Sequence, residues 1–314
     1  MTSQRCRAIF EAAATKRFLV VGDLMLDEFV WGKVSRISPE APVPVVHVTG
    51  ESWFPGGAAN VARNLREFAS DVAVAGTVGA DAAGDRLLSL LRETGIDVAK
   101  IQRDPACPTI VKTRIIARQQ QIVRVDRERP RGAPAALMNV DTADAIVVAD
   151  YGKGAITQEI ADRLCDLARQ QHSILAVDPN PGNPMHWKHV TVIKPNRSEA
   201  FRAANVEDTD SAIDAVGRRL LDQWNAEMLL LTLGEEGMML FEHNKPPYHT
   251  PTRAREVFDV SGAGDTAIAV LTASLAGGAT PTEAAEIANA ASGIVVGKLG
   301  TAAVTLDELT ASFQ

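Results

Sequence analysis

Apolar positions along the 314 residues fall into two rhythms: short unbroken runs, and longer stretches with helical spacing. Phe18-Leu19-Val20-Val21-Gly22-Asp23 is a short run ending on turn residues, the pattern of a buried strand. A helical pattern covers 58–68, then a strand 72–79 and a helix 85–94. After residue 140 the alternation is regular: strand 144–149, helix 157–171, strands 173–177 and 190–193, helices 198–204 and 211–223, and strand 228–233. Hairpin pieces at 238–242 and 247–252 precede two closing helices, 264–276 and 281–293. Strands alternating with helices predict an α/β fold, a mostly parallel sheet covered on both faces.

Two regions break this rhythm. Pro39, Pro42 and Pro44 fall within six residues of the segment 31–50, which excludes a central strand and marks an edge or flap. Residues 109–118 and 121–127 read as two strands joined by Gln119-Gln120. Neither a repeat nor a linker composition divides the chain. The economical reading is one domain over 1–314, with a small β-lid built from roughly 29–50 and 107–130.

Composition narrows the partners. A formal net charge of −7 argues against nonspecific nucleic-acid binding. The apolar runs, such as the one near 228–231, are far too short to span a bilayer, and residues 1–16 carry no apolar core of a signal peptide. Cys6, Cys107 and Cys165 are scattered and without CxxC spacing, so a reducing compartment is expected, and with it the cytoplasm. His186 and His189 lie three apart in a Pro/Asn/Gly-flanked stretch that reads as a surface loop rather than a metal site.

The richest chemistry lies in Asp259-Val260-Ser261-Gly262-Ala263-Gly264-Asp265-Thr266. Small residues at 261–264 admit a ligand close to the backbone, and the apolar stretch behind them predicts a helix whose N-terminal N–H groups form an anion site. A carboxylate there repels the anion unless it has a task, and taking a proton from an attacking hydroxyl is the task that fits Asp265. A favourable first-turn acid is the plainer alternative. The Gly262-x-Gly264-x-x-Ala267 spacing imitates a dinucleotide fingerprint, but the next acid, Glu283, falls in another helix rather than at a strand end. No P-loop sequence occurs. Earlier in the chain, Gly56 and Gly57 open a helix with Asn60 one turn in, an amide suited to sugar hydroxyls. Lys112, Arg114, Arg118, Arg124, Arg127, Arg129 and Arg131 against Asp126 and Glu128 give a local balance of +5, seven minus two. Lys112, Arg114 and Arg118 share parity, so an unbroken strand turns them to one side, a face suited to a substrate phosphate.

Together these motifs resemble the two signatures of the ribokinase-like (PfkB) family of carbohydrate kinases. Segments in family order support this: Gly22-Asp23-Leu24-Met25-Leu26-Asp27, Lys194-Pro195-Asn196-Arg197-Ser198-Glu199, Thr232-Leu233-Gly234-Glu235-Glu236-Gly237 and Ala288-Asn289-Ala290-Ala291. The stretch from Leu26 to Val45, and Asp150-Tyr151-Gly152-Lys153-Gly154, are very similar to the D-glycero-β-D-manno-heptose-7-phosphate kinases of lipopolysaccharide core synthesis. Asp178-Pro179-Asn180-Pro181 departs from the Lys-Gly pair expected after Asp-Pro in the fused enzymes of that group, and the chain ending at Gln314 reads as a stand-alone kinase.

The resemblance implies a three-layer ribokinase-like fold and ATP-dependent phosphorylation of the anomeric hydroxyl. Asp265 would be the base, with Gly262, Ala263 and Gly264 as N–H donors to the transferring phosphoryl group. Asp27, Gly56, Gly57 and Asn60, with Lys112, Arg114, Arg118, Asp150 and Lys153, would hold the sugar phosphate. Lys194, Asn196, Thr232, Gly234, Gly237 and Asn289 would hold the nucleotide. Asn196 and Glu199 would act on Mg²⁺ through water, unless they form only a capping box, and Asp259 with the Ser261 carbonyl match a monovalent-cation site such as one for K⁺. The expected partner is a small-molecule sugar phosphate, and exposed lid strands point to a homodimer, since an unpaired edge is a liability. Two alternatives stand: a kinase of another sugar or sugar phosphate, and an inactive ligand-sensing member, against which the intact Asp265 loop speaks.

Overall fold

The computed structural model describes residues 1–117, 120–129, 142–254, 257–298 and 300–313. The expectation for Arg118 therefore lies outside the described residues, as do Arg131 and part of the expected lid segment. The first apolar run forms β1 (Arg17–Gly22), with every residue after Arg17 buried. It is buried on both faces because it lies inside a sheet, paired in parallel with β4 (Asp71–Gly79) and β8 (Ala145–Ala149). Strand parity then assigns the layers. Phe18 and Val20 point into one apolar cluster, Leu19 and Val21 into the other.

The sheet has nine strands. Beyond β4 lies the edge strand β5 (Asp97–Asp104); beyond β8 lie β9 (Ile174–Asp178), β10 (Val190–Ile193), β11 (Ala226–Thr232), β12 (Met238–Glu242) and β13 (Tyr248–Thr250). All pairings are parallel except the two that join β12 and β13. One face is covered by α1 (Ser3–Ala13), α2 (Ala58–Arg66), α3 (Ala82–Glu93), α7 (Ala263–Ala276), α8 (Pro281–Val295) and α9 (Leu306–Ala311). The other is covered by α4 (Gln158–Gln171), α5 (Arg197–Ala204) and α6 (Ile213–Gln223). This is the covered, mostly parallel sheet that the alternating pattern predicts.

Three elements go beyond the sequence expectation. Helix α1 buries Cys6, Ile9, Phe10 and Ala13, helical spacing hidden among arginines and a glutamate. Edge strand β5 is half exposed and lacks an apolar run. Helix α9 is a single capping-box turn and a half, Thr305 with Glu308.

A second, four-stranded sheet makes the lid: β2 (Leu24–Ile37), β3 (Pro44–Gly57), β6 (Ile110–Ala117) and β7 (Gln120–Arg127), in the order β3-β2-β6-β7. The prolines sit where strand physics allows them. Pro39 and Pro42 lie in the connection, and Pro44 opens the edge strand β3. Burial falls along β2 from a sealed root at Leu24–Asp27 to an exposed tip at Ile37. Val43, Val48, Val123 and Val125 are exposed apolar side chains of this sheet and its connection.

Helix α6 packs on the outer antiparallel pair through a missing side chain. A Cβ built on Gly217 would lie 2.3–2.5 Å from three ring atoms of Phe241, itself 1% exposed. Alanine is the better helix former by about 1 kcal/mol. Even so, Gly217→Ala is expected to lower stability by about 1–2 kcal/mol net, because overpacking a close-packed core costs more than propensity returns. Urea unfolding checks this; an unchanged or raised midpoint would refute the packing argument.

Candidate active site

The small residues at 261–264 deliver α7 into the interior. Gly262 has φ +80°, the left-handed region that glycine tolerates, and a Cβ there would lie 2.8 Å from Asn60 Nδ2. Helix α7 is buried all round from Asp265 to Ser274, while Gly262 and Ala263 are half-buried and Gly264 is exposed, so the helix starts at an open surface and runs inward. The Ala263 N–H donates to the Val260 carbonyl at 3.3 Å, while those of Gly262, Gly264 and Asp265 have no hydrogen bond among the described residues. They remain available to an anion.

Asp265, 8% exposed, stands in that first turn. Asn60 Nδ2 donates to its Oδ2 at 2.7 Å, and the Tyr151 hydroxyl donates to its Oδ1. Burial raises its pKa; the bonds from Tyr151 and Asn60 and the nearby Lys194 cation pull it back down, and Asp27 pushes it up. A buried carboxylate made more basic than usual, yet kept ionisable by two donors, is suited to accept a proton.

Its supports come from separate elements. Asn60 lies in the first turn of α2, which glycine opens: Gly57 has φ +59°. Asn64 Nδ2 donates to the Asn60 carbonyl at 2.9 Å and Thr266 Oγ1 to Asn64 Oδ1 at 3.0 Å, tying α2 to α7. Tyr151 is the residue that sequence reasoning misses, although it lies inside the singled-out segment 150–154. Asp23, also missed, accepts the N–H groups of Tyr151, Lys153 and Ala155 at 2.9, 3.1 and 3.0 Å. Asp150 accepts Gly152 N–H and Asn183 Nδ2, each at 2.8 Å, and burial pushes its carboxyl up to about 6. Asp150 is thus a clamp on its own loop, and the Lys153 ammonium pairs with Glu128 at 2.7 Å. The signal available in the sequence was a buried-strand end followed by an acid, at Gly22-Asp23 and again at Ala149-Asp150.

On one side of Asp265 lies the lid's polar face. Register places Asp27 opposite Phe54 on β3 and Lys112 on β6, and Lys112 opposite Asp126 on β7. A Cβ on Gly56 would lie 2.6 Å from Asp27 Oδ2, so glycine there makes room for the carboxylate. Asp27, 4% exposed, is paired with the Arg114 guanidinium, which also lies 5.3 Å from the Phe29 ring centre. Lys112 makes no ion pair among the described residues, and its Nζ lies 5.9 Å from the Tyr151 ring centre.

On the other side opens a cavity of about 580 Å³. Thr232, Gly234, Gly237, Gly264 and Asn289 are among its walls, with Val260. Asn289 Nδ2 is committed to Thr250 Oγ1 and the Pro251 carbonyl, at 3.1 and 2.6 Å, so it shapes the wall. Lys194, 2% exposed, pairs with Asp178 at 3.0 Å, and a Cβ on Gly264 would lie 3.6 Å from its Nζ. Burial works against the Lys194 cation, but Asp178 and Glu199 outweigh it and its pKa goes up. Asn196 and Glu199 do form a capping box on α5, at 2.8 and 2.9 Å. That leaves Glu199 Oε1 without a hydrogen bond among the described residues. The Asp259 carboxylate accepts the Ser261 N–H at 2.9 Å, a local turn. No group of three or more His, Cys, Asp or Glu gathers for a metal among the described residues, and none of their helices is long and apolar enough to cross a membrane.

The site thus sets a buried carboxylate, in the first turn of a helix with uncommitted N–H groups, beside a polar lid face. The description "pfkB family carbohydrate kinase" matches residues 15–308. The chain belongs to the pfkB family of carbohydrate kinases. It is 43% identical over 316 residues to the "Bifunctional protein HldE" of Magnetococcus marinus, covering 96% of this chain and 65% of that protein. It is 43% identical over 302 residues to the same-named protein of Pseudomonas aeruginosa, covering 94% of this chain and 63% of that one. The chain therefore spans somewhat less than two thirds of these relatives. Among solved structures, Arabidopsis thaliana ribokinase complexed with ribose and ATP matches with TM-score 0.74 at 17% identity, over 96% of this chain and 99% of that one. Escherichia coli phosphofructokinase-2 in complex with potassium matches with TM-score 0.77 at 18% identity, over 95% and 98%. The fold is ribokinase-like, as the motifs imply.

The Lys194–Asp178 pair allows a direct test. Lys194→Met leaves a buried carboxylate without its cation and is expected to cost about 3–5 kcal/mol in urea unfolding. Adding Asp178→Asn should recover much of this, because the uncompensated charge is gone. A single variant as stable as the parent would show that the pair does not hold the site.

Proposed function

We propose that this protein is an ATP-dependent kinase of a sugar phosphate, D-glycero-β-D-manno-heptose 7-phosphate, which it phosphorylates at the anomeric hydroxyl. The observation that carries the reading is the placing of Asp265 between the Gly264 cavity and the Asp27 face. ATP would fill the cavity with its phosphates at the start of α7. The sugar would lie under the lid, its hydroxyls on Asp27 and Asn60. Asp265 takes the proton of the anomeric hydroxyl as that oxygen bonds the γ-phosphorus; the bond from phosphorus to the bridging oxygen breaks, and ADP leaves with the electron pair. The free N–H groups of Gly262 and Gly264 and the Lys194 cation stabilise the charge that spreads over the transferring group. Glu199 and Asn196 would hold Mg²⁺ through water, which fits the one carboxylate oxygen of Glu199 that the capping box leaves uncommitted, and Mg²⁺ when bound neutralises phosphate charge. Asp259 and the Ser261 carbonyl are the candidates for a monovalent cation.

The heptose assignment draws on the HldE relatives, and the cytoplasm is the compartment where ATP and free thiols coexist. The exposed valines of the lid support a homodimer formed there. A coupled ADP-release screen over free and phosphorylated sugars tests the reading. Turnover is expected on the heptose 7-phosphate, and phosphorus NMR of the product should show a new phosphate coupled to the anomeric proton. Release on no sugar would remove the kinase reading, and a phosphate on another carbon would remove the heptose assignment. Asp265→Asn is expected to lower turnover by roughly 10²–10⁴ with sugar affinity nearly kept.

The lid basic residues divide the work. Arg114 is occupied by Asp27, so Lys112 is assigned to the phosphate that the sugar already carries, with Arg114 orienting Asp27. Lys112→Met should weaken binding of the sugar phosphate by roughly one order of magnitude or more and leave the dephosphorylated sugar unaffected. Arg114→Ala should weaken both sugars alike, since Asp27 loses its partner. Isothermal titration with the two sugars separates these patterns; equal loss on both for Lys112→Met would withdraw its assignment.

A further inference from the structure

We propose that Tyr151 is the positioning residue of the proton-accepting carboxylate: its phenol holds one oxygen of Asp265 while Asn60 holds the other, fixing the group in its ionised form and turned toward the sugar. The proposal rests on the reading of Asp265 as the base.

The ring is delivered by a loop with little freedom. Residues 150–155 are clamped by two buried carboxylates, Asp23 accepting three of their N–H groups and Asp150 a fourth. Gly152 at φ +67° and Gly154 at φ +99° turn the backbone where other residues would be strained. Asn180 packs against Gly152, where a Cβ would lie 3.0 Å from its Nδ2. Position 180 thus has a structural task, in the place where the fused enzymes' pattern led one to expect a lysine.

A carboxylate offers about four lone-pair sites. Tyr151 and Asn60 occupy one on each oxygen, leaving sites on both for the sugar's proton. Both contacts are donors, and Asn60 cannot accept a proton from Asp265. The phenol stays a donor too, since burial and the Asp265 charge hold its pKa well above 10. The groups that face Asp265 are therefore Tyr151 and Asn60 in contact, Lys194 favouring its charge, and Asp27 and Asp178 opposing it. Donation to the charged form lowers a carboxyl pKa. Loss of the phenol should then raise that of Asp265, and a stronger donor should lower it.

The test titrates the whole chain carrying carboxyl-¹³C aspartate, with the Asp265 signal assigned by its loss in Asp265→Asn. Tyr151→Phe is expected to move the Asp265 titration up by about one pH unit, the equivalent of one charge-assisted hydrogen bond. Turnover with heptose 7-phosphate and ATP should fall about tenfold with the sugar KM unchanged, and the acid limb of the rate profile should move up with the carboxyl. The chain has two tyrosines, so replacing both with 3-fluorotyrosine, a more acidic donor, is practical. It should move Asp265 in the opposite direction, and it serves if Tyr151→Phe does not fold. The double variant Tyr151→Phe with Asp265→Asn should be no slower than Asp265→Asn alone. An unmoved Asp265 titration in either tyrosine variant overturns the proposal, as does an additive loss in the double variant. Full turnover by Asp265→Asn alone would instead strike the base reading beneath it, and the positioning role with it.

Discussion

A charge kept out of water at the start of a buried helix is the constraint on which the rest of this structure depends. Helix α7 is buried on every side from Asp265 onward and occupies the core of one layer, so the Asp265 carboxylate is enclosed although Gly264 just before it is exposed. An unpaired carboxylate there would cost several kcal/mol or would simply protonate. It is held instead by an amide from α2 and a phenol from the loop after β8, with a lysine after β10 near enough to act on its charge. Three segments far apart in sequence are thereby brought to one atom group.

The same economy repeats along the carboxyl ends of the parallel strands. Asp23 follows β1, Asp150 follows β8, Asp178 ends β9 and Lys194 follows β10. Parallel α/β sheets gather function at this edge, because the strands end together there and loops cross above them. In this protein two of the acids accept backbone N–H groups, Asp150 with the Asn183 amide as well, and serve to shape a loop, while the third pairs with Lys194. The edge is acidic, yet each of these four groups has a stated partner.

The lid shows how a local charge excess can be read too simply. A local balance of +5 and the shared parity of Lys112, Arg114 and Arg118 suggested a face for a substrate phosphate. Arg114 is matched by Asp27, Arg124 by Asp126, and Arg127 lies 3.9 Å from Glu28, which brings in acids from β2 that a local count leaves out. Lys112 is left on the side of Asp27 and Tyr151 with no ion pair among the described residues. Selectivity for an anion on such a face arises from what remains after the sheet has paired its own charges.

The sequence by itself determined the alternation of strand and helix, hence the covered parallel sheet, and it determined the glycine-opened helix starts at 57 and 262. These follow from burial periodicity and from backbone angles that few residues other than glycine adopt, both local properties. It also placed Asp265, whose position in a first turn behind small residues is a local oddity. The partners of that carboxylate were decided only by the tertiary structure. Tyr151 is 114 residues from Asp265 in the chain and Asn60 is 205, and nothing in a phenol or an amide marks which distant oxygen it will meet. The same holds for Arg114 and Asp27, 87 residues apart, where parity gave the face but the guanidinium, opposite Phe29 in the register, reaches diagonally to Asp27. Hydrogen bonds and ion pairs act over a few ångströms, so their identity is written in the packing of elements rather than in the order of residues.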